Sequence, residues 1–254
     1  MMLPPFVLVI VAAAGAAVVA GFIIWRVPRL YRRRHLDAVR TLMALVDAGD
    51  VLTRGHSYRV SRLSLRLGRQ LGMRGGGLAE LEYAALLHDV GRIAIRADVL
   101  QKPGPLSADE RSLVQTHPDV GHDIVKGLGF FPGAAEIIRS HHEQPDGKGY
   151  PRALRGKDIP LGARIIMVAA ALEAMTVDRP YRRGMKPVEA MAELSRHAGT
   201  QFDADIVAAL QFLHAEGTLY DDLDTGELAR LTHRWSPSGV DEELYERKAN
   251  ARRA

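Results

Sequence analysis

The chain has no cysteine among its 254 residues. That excludes disulfides, thiolate metal sites and cysteine nucleophiles, so any metal must be held by imidazoles and carboxylates. No stretch sustains the two-residue alternation of strands, and no segment repeats, which leaves an all-α fold. Residues 1–35 carry no acid, but they do carry Arg26, Arg29, Arg32, Arg33 and Arg34; residues 247–254 add Arg247, Lys248, Arg252 and Arg253. Against an overall charge of +4, ends of +5 and +4 leave −5 for everything between them. A mildly acidic body with basic ends lacks the positive lining of a nucleic-acid groove. No nucleic acid polymer is expected as a partner.

Charge is also missing from residues 6–25, twenty apolar or small residues in a row. That is the length a helix needs to span a bilayer. The positive segment of a cleaved leader is absent from residues 1–5. The arginines come after the run, so the positive-inside rule puts the rest of the chain in the cytoplasm. The expected division is a single-pass anchor in the inner (cytoplasmic) membrane at 1–27, a basic juxtamembrane segment and linker helix at 28–50, the main domain at 51–216 and a tail at 217–254. One face of the helix expected over 36–46 suits either its own domain or a second copy of the chain. The chain has no evident room for a receiver or sensory domain, so input is expected through the membrane helix, the tail or another signalling protein.

Within the main domain, Val60, Leu63, Leu67 and Leu71 recur at helical spacing and predict a helix over 56–73. Gly75, Gly76 and Gly77 predict a break before a helix over 78–88. Ser107 and Glu110 form a capping-box pattern that starts a helix towards His117. Residues 161–177 are apolar on nearly every side and predict a buried central helix, with further helices over 131–142, 187–197 and 203–216.

Residues 141–151 read His-His-Glu-Gln-Pro-Asp-Gly-Lys-Gly-Tyr-Pro. Two prolines and two glycines force any helix carrying the histidines to stop near Glu143. Adjacent helical residues point about 100° apart, so both rings serve one centre only at a helix end. His56, the pair His88-Asp89, and His117 supply three more metal-capable positions on separate predicted helices. Imidazole and carboxylate donors in a mixed site suit Mn, Fe or Zn. An Asp beside a His can bridge two ions about 3.5–4 Å apart, the arrangement that clamps a phosphoryl group. His35, His122, His197, His214 and His233 read as ordinary hydrogen-bonded histidines.

His88-Asp89-Val90-Gly91-Arg92, Thr116-His117-Pro118, the whole of 141–151, Ile159-Pro160-Leu161-Gly162-Ala163-Arg164, Asp178-Arg179-Pro180-Tyr181-Arg182 and Gly199-Thr200-Gln201-Phe202-Asp203 succeed one another in order. Together they resemble an HD-GYP domain. The resemblance implies an HD-domain helical bundle and a phosphodiesterase that opens cyclic di-GMP by attack of a metal-activated hydroxide. It implies two divalent ions, Fe or Mn in preference to Zn, held by His56, His88, Asp89, His117, His141 and His142, with Asp89 bridging. Asp89 and Arg92 are the implied catalytic residues. Gly149, Tyr150, Arg179 and Arg182 are the implied substrate contacts, for a cyclic dinucleotide whose phosphates suit guanidinium forks.

Two positions depart from the family pattern. Arg92 stands where the family's His-Asp-x-Gly-Lys motif ends in lysine; arginine stays protonated and can only steady charge. Ala170 stands where the central helix normally carries an Asp ligand, and Glu173, one turn on, is the candidate stand-in. The same residues also fit a catalytically impaired receptor or signalling scaffold for cyclic di-GMP, or an HD phosphohydrolase of another nucleotide.

Overall fold

The computed structural model of the protein describes residues 4, 15, 17–26, 39, 55–102, 104–128, 132–177 and 183–219. The chain divides into two compact units, Met1–Thr41 and Leu42–Ala254. In the first, residues 17–26 are helical and exposed. Among the described residues no helix is long and apolar enough to cross a membrane. Half of the anchor expected at 6–25, and nearly all of the basic segment and linker helix at 28–50, lie outside the described residues. So does the tail beyond Leu219.

The second unit is built of helices: α1 His56–Gln70, α2 Gly75–Leu87, α3 Ala97–Leu100, α4 Ala108–Val114, α5 His117–Leu128, α6 Pro132–Ser140, α7 Leu161–Thr176, α8 Pro187–Arg196 and α9 Ala204–Ala215, with 3-10 turns at Val90–Ala94 and Gly156–Asp158. Among the described residues there is no strand, only an isolated bridge between Ala198 and Phe202. The all-α expectation is what the described residues have.

The apolar periodicities become the core. Helices α1 and α2 pack together, and Val60, Leu63 and Leu67 of α1 and Leu81, Ala84 and Ala85 of α2 are all buried. The central helix α7 packs against α1, α2, α6, α8 and α9, so Ile165, Ile166, Val168, Ala169 and Leu172 are fully enclosed. Each Leu or Ile buried this way contributes about 1.5–3 kcal/mol. Ser107 and Glu110 close a capping box, with Glu110 N–H donating to Ser107 Oγ at 3.2 Å and Ser107 N–H to Glu110 Oε2 at 2.7 Å. Asp203 caps α9 through the N–H groups of Asp205 and Ile206, and its other oxygen accepts from Arg164 Nη1 at 2.5 Å. That pair ties the starts of α7 and α9 together.

One expected boundary is corrected. Gly75, Gly76 and Gly77 do not break the chain but open α2, with Arg74 extended before them. The first turn of a helix has N–H groups without intrahelical partners in any case, and the chain turns at Gly72 and Arg74 instead.

Candidate metal centre

Four helix ends converge on Asp89. His88 comes after the last residue of α2, His117 opens α5 just after α4, His141 and His142 come after α6, and His56 begins α1. The last four carbonyls of a helix lack intrahelical partners, and three of these histidines use that fact. His88 Nδ1 lies 2.9 Å from Ala85 O, His117 Nδ1 2.7 Å from Val114 O, and His141 Nδ1 2.6 Å from Ile138 O. A carbonyl can only accept, so each Nδ1 carries the proton and each Nε2 is left with a bare lone pair. The repeated three-residue reach back thus caps a helix and aims a ligand atom in one stroke.

Those bare nitrogens face one another. His117 Nε2 and His141 Nε2 are 3.3 Å apart. Asp89 Oδ1 lies 3.4 Å from His117 Nε2, while Asp89 Oδ2 lies 3.6 Å from His88 Nε2 and 3.2 Å from Arg92 Nη1. The donors fall into two groups, Asp89 with His117, His141 and His142, and Asp89 with His56 and His88, the ligand atoms of each group lying within 4.8 Å of one another. Asp89 belongs to both, with one oxygen turned to each side. Two unprotonated nitrogens pointing at each other across a buried gap repel unless a cation lies between them. The donor set therefore fits divalent ions.

Electrostatics keep these donors in the forms that can bind a metal. Burial pushes His88 down to about 4 and His142 down to about 3, lowers His117, and holds His141 well below the usual imidazole range. All four are neutral near pH 7. For Asp89 burial acts the other way, but Arg92 and the imidazoles of His88, His117 and His56 outweigh it, and its carboxyl is held well below the usual range.

The His56 side of the centre differs. His56 Nδ1 donates to Glu173 Oε2 at 2.5 Å, and Arg59 fixes Glu173 Oε1 with Nε at 2.9 Å and Nη2 at 2.5 Å. The Glu173 carboxyl, which burial would raise, is drawn down to about 2 by His56 and Arg59. The candidate ligand role of Glu173 is thereby corrected. Both its oxygens are engaged behind the His56 ring, and it belongs to neither donor group. A carboxylate behind a ligand histidine fixes its tautomer and orientation, and that is what Glu173 does here. Ala170 adds no donor, so this side offers three ligand atoms against four on the other.

Residues 143–154 wall the centre. Glu143 is 1% exposed, and its oxygens accept from Arg152 N–H at 2.7 Å and Leu154 N–H at 2.9 Å. Asp146 accepts from Lys148 N–H at 3.0 Å, while its own N–H reaches Thr200 O at 3.1 Å. Neither carboxylate of the motif joins the two donor groups; both shape the loop. Gly149 lies against the end of α6, where a Cβ would collide with backbone atoms of His142, Glu143 and Gln144. This close approach stacks Tyr150 on His142, centroids 4.7 Å apart and planes 20° off parallel. One face of Tyr150 is thus already covered. Burial pushes its phenol up, so it stays protonated. Gly91 plays a similar part: a Cβ there would strike His117 O, so only glycine lets the turn after Asp89 seat on α5.

Arg179 and Arg182 lie outside the described residues. His122 stands apart from the centre, bonded to Asp123 and Glu136. Arg59 and Arg152 make contacts beside the centre that the sequence does not single out. Arg59 has a signal, since it lies three residues after His56, one helical turn along the same face.

Residues 40–206 match the HD domain family. Among curated proteins, the chain is 33% identical over 209 residues to a cyclic di-GMP phosphodiesterase of Thermotoga maritima, covering 79% of this chain and 56% of that one. It is 37% identical over 178 residues to the 3'3'-cGAMP-specific phosphodiesterase 3 of Vibrio cholerae, covering 70% and 39%. The chain thus spans about half the length, or less, of these relatives. A crystal structure of a cyclic GMP-AMP specific phosphodiesterase of Vibrio cholerae superposes with a TM-score of 0.58 at 24% identity, over 76% of this chain and 53% of that one, which shows a common fold. This chain belongs to the HD domain family and carries the motif set of its HD-GYP branch.

Proposed function

We propose that the chain is a metal-dependent phosphodiesterase of cyclic dinucleotides, with cyclic di-GMP as the favoured substrate, held at the inner membrane by residues 6–25. The observation that carries the reading is Asp89, an anionic carboxylate with one oxygen turned to each of two histidine groups. Support for the substrate class comes from the relatives named for cyclic di-GMP and 3'3'-cGAMP. Support for the anchor is the uncharged run succeeded at once by arginines.

Divalent ions in the two donor groups would supply Lewis-acid charge to a phosphodiester and lower the pKa of an attacking water. The chain's own residues do the rest. Neutral His88, His117, His141 and His142 offer lone pairs without competing protons. Arg92 holds Asp89 Oδ2 through Nη1 and presents a permanent guanidinium charge beside the centre. It cannot hand a proton to a leaving oxygen as lysine can, so its part is charge stabilisation. Tyr150, protonated and stacked on His142, offers a hydroxyl donor at the wall. Arg179 and Arg182 are proposed as phosphate contacts on the strength of their motif alone.

The deciding experiment is to load the full chain with Mn or Fe, count metals per chain and follow cyclic di-GMP and 3'3'-cGAMP. Turnover of cyclic di-GMP with metal bound is the expected result. A specific observation also favours a second reading, an impaired receptor: the three-donor group at His56 lacks the carboxylate that Ala170 replaces. Nucleotide binding without turnover would select that reading and remove the first.

A further inference from the structure

Arg152 directly follows Pro151 and is bonded in three directions. Its N–H donates to Glu143 Oε1 at 2.7 Å, its Nη2 donates to Ser140 Oγ at 2.7 Å, and its Nη1 lies 3.2 Å from Glu136 Oε2. Ser140 is fully buried, and its hydroxyl in turn donates to Glu136 O at 2.8 Å. The other oxygen of Glu136 lies 3.2 Å from Nε2 of His122 on α5, whose Nδ1 lies 2.9 Å from Asp123 Oδ1. A continuous string of polar contacts therefore runs from the loop, through the end of α6, to α5.

Those three elements carry every histidine of the four-donor group. His117 opens α5, His141 and His142 follow Ser140, and Tyr150, two residues before Arg152, stacks on His142. His56 and His88 belong to α1 and the end of α2, which the string does not include. His117 and His141 are each aimed by a backbone carbonyl. Among the described residues the His142 ring has no carbonyl partner, and the Tyr150 ring braces it instead. We propose that Arg152 is a positioning residue of the metal centre. It clamps the loop to the end of α6, keeps Tyr150 on His142 and so fixes the aim of that ring, while Glu136 and His122 carry the clamp on to α5. The inference rests on the metal centre proposed above. A lone exposed ion pair contributes little, but here one planar guanidinium serves a carboxylate and a buried hydroxyl at once. A lysine, as a point charge, does not reproduce that fork.

Chelator titration with Mn and NMR on the full chain test this. Arg152→Ala should weaken metal binding at the His117, His141 and His142 side about tenfold, as loss of an outer partner of a ligand does. The His56 and His88 side should keep its affinity. In the metal-free chain the imidazole C–H resonances of His142 lie upfield in the ring current of Tyr150; in Arg152→Ala they should move to ordinary positions, with those of His56 unmoved. Arg152→Lys should keep the defect, since it restores the charge without the fork. Glu136→Ala should show a smaller loss on the same side, and combining it with Arg152→Ala should add nothing, because both act through one string. Parent-like affinities at both sides in Arg152→Ala would overturn the proposal. So would equal loss at both sides, full rescue by lysine, or His142 resonances that stay in place. If Arg152→Ala does not fold, Glu136→Ala at its half-exposed position carries the same two readouts. An unaltered chain that binds no metal would remove the metal centre itself, and the His142 resonances would still decide the clamp.

Discussion

Ala170 and Glu173 lie three residues apart on α7 and share a helix face, yet only Glu173 reaches the centre, and it does so through His56. Removing its charge should act on one donor group and spare the other. Glu173→Gln is expected to weaken metal binding at the His56 and His88 side by roughly 10–100-fold, with the His117, His141 and His142 side unchanged. Titration against a graded series of chelators reads both affinities; equal loss on both sides, or none, would contradict the positioning role. Ala170→Asp is expected to raise the metal content per chain by adding the fourth donor to the same side. If metal content stays as it is in the parent chain, the three-donor account of that side fails. The donor histidines stand out in the sequence because the neighbours of most of them form a dense motif, and the fold brings them together. Glu173's actual partner was not, since a carboxylate one turn along a helix fits a ligand and a ligand's support equally well.

At the scale of elements, the centre is an assembly of helix ends. His88, His117 and His141 each reach back to a carbonyl that helix termination leaves without a partner, so ligand aim depends on where the helices stop. The Pro and Gly content of residues 144–151 foretold that α6 would stop, and it does so at Ser140. The wall beyond it is fixed by Glu143 and by contact across Gly149. Gly149→Ala is expected to destabilise the fold by about 1–3 kcal/mol through overpacking, and to separate Tyr150 from His142. Denaturant midpoints measure the first effect, and a reduced metal affinity the second. A fully stable variant with unchanged metal binding would show that the loop does not brace the centre.

The whole molecule carries a buried cluster of neutral imidazoles, and its stability must depend on pH accordingly. His88 titrates at about 4 in the fold against 6.5 ordinarily, and His142 at about 3. Between those values the unfolded chain binds more protons than the folded one, so stability falls as pH drops. The Glu173 pair behaves differently. Its stabilisation is complete above 4.5 and lost only as pH falls towards about 2. The metal-free protein is therefore expected to lose urea resistance already between pH 7 and pH 5, before carboxylates matter. Saturating metal at 100 times its Kd should restore about 2.7 kcal/mol near neutrality. A flat pH profile for the metal-free chain would count against buried neutral histidines.

The sequence by itself determined the all-α class and the family, and it named His56, His88, Asp89, His117, His141 and His142, the donors that the fold gathers into two groups. Helical periodicity, missing cysteines and short motifs are local properties, and local chemistry suffices to read them. Only the tertiary structure decided how the donors divide into groups of four and three. It alone turned Glu173 away from the ligand set and towards His56 and Arg59, and it alone gave Glu143 and Thr200 the task of shaping the wall. Those outcomes depend on which helix ends meet and at what distance. Residues more than a hundred positions apart, such as His56 and Glu173, become hydrogen-bond partners only when the core of α1 and α7 closes between them.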